Sequence, residues 1–101
     1  MRIRVAAAAL NQTPLAWDSN IENIRLAIRQ ARSQGASLVC LPELCISGYG
    51  CEDAFLSPSV QRTCWEVLQE LLPETKGLIV SFGLPLLVRK AVYNTACLVV
   101  D

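Results

Sequence analysis

Apolar residues along the chain follow two periodicities, one of strands and one of helices. Ile3 to Leu10 is an apolar run broken only by Arg4. Its length and Val/Ile/Ala content suit a strand buried on both faces, although Ala6 to Ala9 leave some helical character. Asn11-Gln12-Thr13-Pro14 ends it. From about Ser19 to Gln34 the period lengthens. Ile21, Ile24, Ala27, Ile28 and Ala31 recur at helical spacing, with Arg25, Arg29 and Arg32 on the other side, where a solvated face outweighs a binding patch. Ser19 with Glu22 matches a capping box, Asp18 adds negative charge at the helix start, and Gly35 supplies a stop.

Ser37 to Leu41 reads as a second buried strand, so the alternation predicts a parallel β-α-β unit. Ser57-Pro58 opens a second helix, with Val60, Cys64, Val67, Leu68 and Leu71 as its apolar face and Pro73 as its stop. Trp65 is expected at the edge of that face, and Cys64 as a small core hydrophobe. Gly77 to Gly83 is a third buried strand, continued by Leu84 to Val88 past a kink or bulge at Pro85. Arg89-Lys90 is a turn and Ala91 to Val100 a fourth strand, which so short a connection pairs antiparallel with the third. Tyr93-Asn94 interrupts its otherwise apolar pattern.

Composition narrows the function classes. The 101 residues suffice for one small core, and 52% apolar content excludes a disordered chain. Nine basic side chains balance nine acidic ones, which argues against nucleic acid or an anionic membrane as partner. No apolar run approaches the roughly 20 residues of a membrane span, and Ala6–Leu10 lacks the cleavage site of a secretory signal. Five cysteines (Cys40, Cys45, Cys51, Cys64 and Cys97) form no Cys-x-x-Cys pair, and there is no histidine. Zinc and disulfide frameworks fit poorly, reduced thiols in the cytoplasm are the simpler account, and Ser-His or Cys-His catalysis within these residues is excluded.

The stretch with chemical content runs from Leu38 to Asp53. An apolar strand ends at Pro42, and the lone carboxylate of Glu43 follows at once. Open α/β sheets present functional side chains at the carboxyl ends of their strands. A carboxylate pressed against that much apolar surface is expected to resist ionisation, which would suit a general base. A surface loop glutamate at a strand end fits the same residues, and both roles stay open on this evidence. Gly48 and Gly50 place Tyr49 on a tight turn, its phenol pointing into a cleft or capping the core.

The order strand, helix, strand-Pro-Glu, Gly-Tyr loop, helix, strand, hairpin strand resembles the start of a carbon–nitrogen hydrolase (nitrilase superfamily) domain. Ile3–Leu10, Leu41-Pro42-Glu43, Ser47-Gly48-Tyr49 and Tyr93-Asn94 carry the likeness. Within the superfamily, Gly48-Tyr49-Gly50-Cys51-Glu52-Asp53-Ala54-Phe55, Gly77-Leu78-Ile79-Val80 and Gly83-Leu84-Pro85 resemble the N-terminal glutaminase domains of the glutamine-dependent NAD(+) synthetases. The resemblance implies an α/β fold, here part of an α-β-β-α sandwich in which two helices cover one face of a sheet and a second sheet covers the other. It implies a Glu-Lys-Cys triad with Glu43 as general base, Tyr49 lining the glutamine pocket, and a lysine and cysteine beyond Asp101. Residues 1–101 would be the first portion of the glutaminase domain and inactive alone. The partners implied are glutamine, the rest of that domain, and a synthetase domain using ATP and Mg2+ to amidate deamido-NAD, in a homo-oligomer. An amidase, nitrilase or carbamoylase, or a non-catalytic α/β module serving in assembly, are the competing assignments.

Overall fold

The structure, a computed structural model, describes residues 1–100. Four strands and two helices alternate: β1 (Val5–Ala7), α1 (Trp17–Ser33), β2 (Leu38–Cys40), α2 (Pro58–Leu71), β3 (Ile79–Val88) and β4 (Ala91–Val100). Short 3-10 turns at Glu52–Leu56 and Leu72–Thr75 flank α2. The sheet order is β1-β2-β3-β4. The first three strands run parallel and β4 returns antiparallel to β3, as the alternation and the Arg89-Lys90 turn predict.

Both helices pack on one side of this sheet. Ile21, Ile24, Ile28 and Ala31 of α1 join Cys64, Val67, Leu68 and Leu71 of α2 over Val39, Val80, Phe82 and Leu84. Ile24, Ile28, Leu71, Val80 and Phe82 are fully buried, each contributing about 1.5–3 kcal/mol of transfer free energy. Cys64 belongs to this core as expected, and Trp65 is about half exposed at its margin.

No helix covers the other side of the sheet, where only the Pro42–Leu44 turn lies over Gly83 and Pro85 is buried. Side chains paired across the ladder share a face, so Val5, Leu38, Ile79 and Val100 form one row, and Ala7, Cys40, Ser81 and Leu98 the next. Val5, Leu98 and Val100 are each at least 60% exposed. The expectation that the first two strands are buried on both faces is therefore corrected: they show the alternation of a sheet covered on one side, and β1 is an edge strand of three residues.

Three local expectations also change. Helix α1 starts at Trp17, before the supposed capping box. Ser19 lies inside the first turn, with its hydroxyl on the Ala16 carbonyl at 3.2 Å. The turn through Pro14 and Leu15 (φ +59°) sets the start instead, closed by Ala16 N–H to Thr13 O at 3.1 Å. Ser57 does occupy the N-cap of α2 with Pro58 at the first turn, but its hydroxyl meets Ser59 rather than the helix backbone. Pro85 breaks neither β3 nor its pairing with β4.

The arginine face of α1 is occupied. Arg29 holds Glu74 through both carboxylate oxygens, at 2.7 and 3.1 Å, and Arg25 reaches Glu70 at 3.2 Å. Arg32 donates to the Glu74 and Lys76 carbonyls. These contacts tie α1 to α2 and the turn that follows it.

Candidate active site

Glu43 lies just past the carboxyl end of β2, where sequence reasoning put it. The parallel ladder ends with Leu41 N–H donating to Ser81 O at 3.0 Å, and the chain then turns tightly. Cys45 N–H reaches back to Pro42 O (3.2 Å), Gly48 N–H to Leu44 O (2.8 Å), and Leu44 adopts φ +50°. The turn is bolted to β3 by Ile46 N–H donating to Gly83 O at 3.1 Å.

Beyond this point β3 and β4 run on alone, so their uncovered face forms the floor of a cleft of about 320 Å³. Cys40, Pro42, Glu43, Ser81, Gly83, Asn94 and Ala96 are among its lining residues. The Asn94 side-chain amide donates to Glu43 Oε1. Nothing in the periodicity foretold this contact. The signal was the polar interruption at Tyr93-Asn94, of which Asn94 falls on the same face of β4 as Ala96 and Leu98.

Two expectations for the site need adjustment. Glu43 is solvent-exposed, so the dehydration expected of it is absent in this chain. Tyr49 is 69% exposed and is not among the residues lining the cleft; the structure does not bring it together with Glu43.

A buried polar network fixes the loop around Glu43 from behind. Asn20, fully buried on α1, accepts from Thr13 N–H (3.0 Å) and donates to Thr13 O (2.8 Å) and Ile46 O (3.4 Å). Gln12 donates to Cys45 O at 2.7 Å and accepts from Asn23 at 2.9 Å, and Leu15 N–H donates to Ser47 O at 2.8 Å. Gly48, at φ +89°, lies so close to Thr13 and Pro14 that a Cβ there would stand 2.9 Å from their backbone atoms.

The cysteines divide by environment. Burial pushes the Cys45 thiol up to about 11 and the Cys64 thiol up to about 12, so both stay protonated and unreactive near neutrality. Cys51 is buried with its sulfur on the Ser47 and Gly48 carbonyls, and Cys40 is exposed in the cleft. Among the described residues, no group of three or more His, Cys, Asp or Glu side chains is arranged to hold a metal ion, and no helix is long and apolar enough to cross a membrane.

The chain is thus a four-strand sheet layered by helices on one side, with a carboxylate at the mouth of a cleft past β2. The carbon–nitrogen hydrolase family profile matches residues 4–101, and the chain belongs to that family. Over 94 residues it is 37% identical to the glutamine-dependent NAD(+) synthetase of Oryza sativa subsp. indica, covering 91% of this chain and 13% of that protein. Over 101 residues it is 39% identical to the enzyme of the same name from Saccharomyces cerevisiae, covering 98% and 14%. The crystal structure of a glutamine-dependent NAD(+) synthetase from Cytophaga hutchinsonii superposes with a TM-score of 0.93 at 45% identity, over 96% of this chain and 17% of that one. The chain thus spans about one-eighth to one-sixth of the length of these relatives.

Proposed function

We propose that residues 1–101 are the opening portion of a glutaminase domain in a glutamine-dependent NAD(+) synthetase, with Glu43 as the general base. The observation that carries this reading is the place of Glu43, at the end of a central parallel strand with its carboxylate on a cleft in the uncovered sheet face. The three relatives named above, all glutamine-dependent NAD(+) synthetases, support the substrate.

In this reading a cysteine thiol elsewhere in the full enzyme gives its proton to Glu43 as its sulfur attacks the side-chain amide carbon of glutamine. A lysine stabilises the oxyanion of the tetrahedral intermediate. The amide nitrogen takes up a proton and leaves as ammonia, and water hydrolyses the thioester to glutamate and free thiol. Neither Cys45 nor Cys64 suits the nucleophile's role, since each is a protonated thiol in the core. The bare sheet face, lined by Val5, Leu38, Leu98 and Val100, is where the rest of the sandwich packs, and that packing would supply the dehydration Glu43 lacks here. Tyr49 reaches the glutamine pocket only in that assembled domain. ATP and Mg2+ belong to the synthetase domain. The full enzyme works in the cytoplasm as a homo-oligomer.

The test is Glu43→Gln in the full-length enzyme. Glutamine-dependent NAD synthesis is expected to fall by at least about a hundredfold, the lower end of the range for a lost general base, while ammonia-driven synthesis persists. Equal loss of both activities would make Glu43 structural. The 101 residues alone are expected to hydrolyse no glutamine, because nucleophile, base and oxyanion donor act as one unit.

A further inference from the structure

Among the described residues, Asn94 is the side chain that holds the Glu43 carboxylate from outside its own loop. It stands on β4 opposite Pro85, on the face that the helices leave uncovered, and shares the cleft with Glu43. Its Nδ2 donates to Glu43 Oε1. The arm that carries it is set by the two-residue Arg89-Lys90 turn and by an unbroken register from Val88–Ala91 to Ile79–Val100. On the same arm, the Thr95 hydroxyl donates to Leu84 O at 2.7 Å, which holds β4 to β3 one residue away.

We propose that Asn94 is the positioning residue of the catalytic base: it occupies Oε1 and leaves Oε2 as the atom that takes the thiol proton. The proposal rests on the reading of Glu43 as base. The chemistry of the amide fits this task. A glutamate side chain has three rotatable bonds, and on an exposed strand end nothing in its own loop selects among its rotamers. An amide on a rigid hairpin selects one. Being uncharged, it does so without forming an ion pair that would neutralise the carboxylate. A lysine or arginine at this place would compete with the thiol proton, and an aspartate would repel the carboxylate and offer no donor in its ionised form.

The experiment uses the full-length enzyme carrying Glu43→Gln, Asn94→Ala, Asn94→Asp and the Glu43→Gln/Asn94→Ala pair. Asn94→Ala is expected to lower kcat with glutamine by roughly ten- to a hundredfold, the scale of a small misplacement of a reacting group. KM for glutamine and the ammonia-driven rate should stay close to wild type. In Asn94→Asp two carboxylates share the site, so the acid limb of the kcat/KM profile with glutamine should move to higher pH. In the Glu43→Gln background, Asn94→Ala should cost nothing further. An equal cost in both backgrounds, or an acid limb unmoved in Asn94→Asp, overturns the proposal. Should Asn94→Ala not fold, the isosteric Asn94→Asp decides through its pH profile. Full activity in Glu43→Gln alone would instead sink the reading of Glu43, a result separate from any behaviour of Asn94.

Discussion

Gly83 and Leu44 approach so closely that a Cβ at position 83 would stand 2.4 Å from the Leu44 amide nitrogen. The same Cβ would be 2.5 Å from the Pro42 carbonyl oxygen. Both obstacles are backbone, so neither swings away as a side chain end would. The glycine is what lets the Glu43 turn lie directly against β3 and accept its place through the Ile46–Gly83 hydrogen bond.

Gly83→Ala should therefore destabilise the chain by about 2–3 kcal/mol, the upper part of the range for overpacking a tight interior. Ser81→Ala, two residues away on the same face at a partly exposed position, should cost under about 0.5 kcal/mol, as a substitution clear of such close contacts does. Thermal unfolding of the two variants beside the parent checks both. Equal melting temperatures for Gly83→Ala and parent would show that the turn can lift from β3 at no cost.

Asn20 supports a second prediction. Its amide serves three backbone groups in a place sealed from water, and every buried side-chain N or O among the described residues has a hydrogen-bond partner. Asn20→Ala strips Thr13 N–H and Ile46 O of that partner at once, while Thr13 O keeps the Ala16 N–H, and each abandoned buried group costs about 1–3 kcal/mol. A loss of about 2–4 kcal/mol is expected. Asn20→Asp keeps an acceptor for Thr13 N–H but turns a second oxygen on two carbonyls, so it should not rescue. Denaturant titration decides, and an Asn20→Asp variant as stable as the parent would mean that the Thr13 and Ile46 carbonyls need no donor.

How far the sequence carried these conclusions depends on the range of the interaction. The helices were legible because Ile21, Ile24, Ile28 and Ala31 repeat at a spacing that only one face of a helix explains. The β3–β4 pairing was legible because a two-residue turn leaves little choice of register. Glu43 stood out because a proline and an apolar strand precede it. The contacts that shape its site join residues about 40 to 50 positions apart, Gly83 to the Pro42–Leu44 turn and Asn94 to Glu43, and local pattern is silent on those. Even so, a glycine inside a strand and a polar pair inside another were visible irregularities. The expected burial of β1, β2 and Glu43 failed for one reason: periodicity reports which side chains are apolar, not whether a second layer is present to cover them. The Ser19 capping box failed because the Thr13–Ala16 turn starts the helix two residues earlier than the motif.

The cysteines should react in an order set by cover. At pH 8 roughly one Cys45 thiol in a thousand is ionised, and still fewer at Cys64, because burial disfavours the thiolate. Cys40, exposed in the cleft, should take up iodoacetamide first, Cys97 more slowly, and Cys45, Cys51 and Cys64 only on unfolding. Peptide mass mapping after brief alkylation reads the order. Modification of Cys64 at the rate of Cys40 would mean that the α2 face opens on the timescale of labelling.

Glu74 gives the fold a pH dependence of known sign. The hydrogen bonds from Arg29 hold its carboxyl below the usual carboxylate range, and the charges of Arg29, Arg25 and Arg32 act in the same direction against a burial penalty. In the unfolded chain the carboxyl returns to its ordinary value, so between the two values the unfolded state binds more protons. The contribution of this pair is complete above the ordinary glutamate range and is lost as pH falls through the lower, folded value. Arg29 itself, raised by the same contact, stays charged throughout that window. Arg29 is largely exposed, so solvent and salt screen the pair and its worth is small. Glu74→Gln should thus lower the melting temperature by no more than a few degrees at pH 7. The difference from the parent should shrink as pH drops below the glutamate range, and also in high salt. A gap that widens on acidification would reverse the assigned sign, placing the Glu74 carboxyl above its unfolded value.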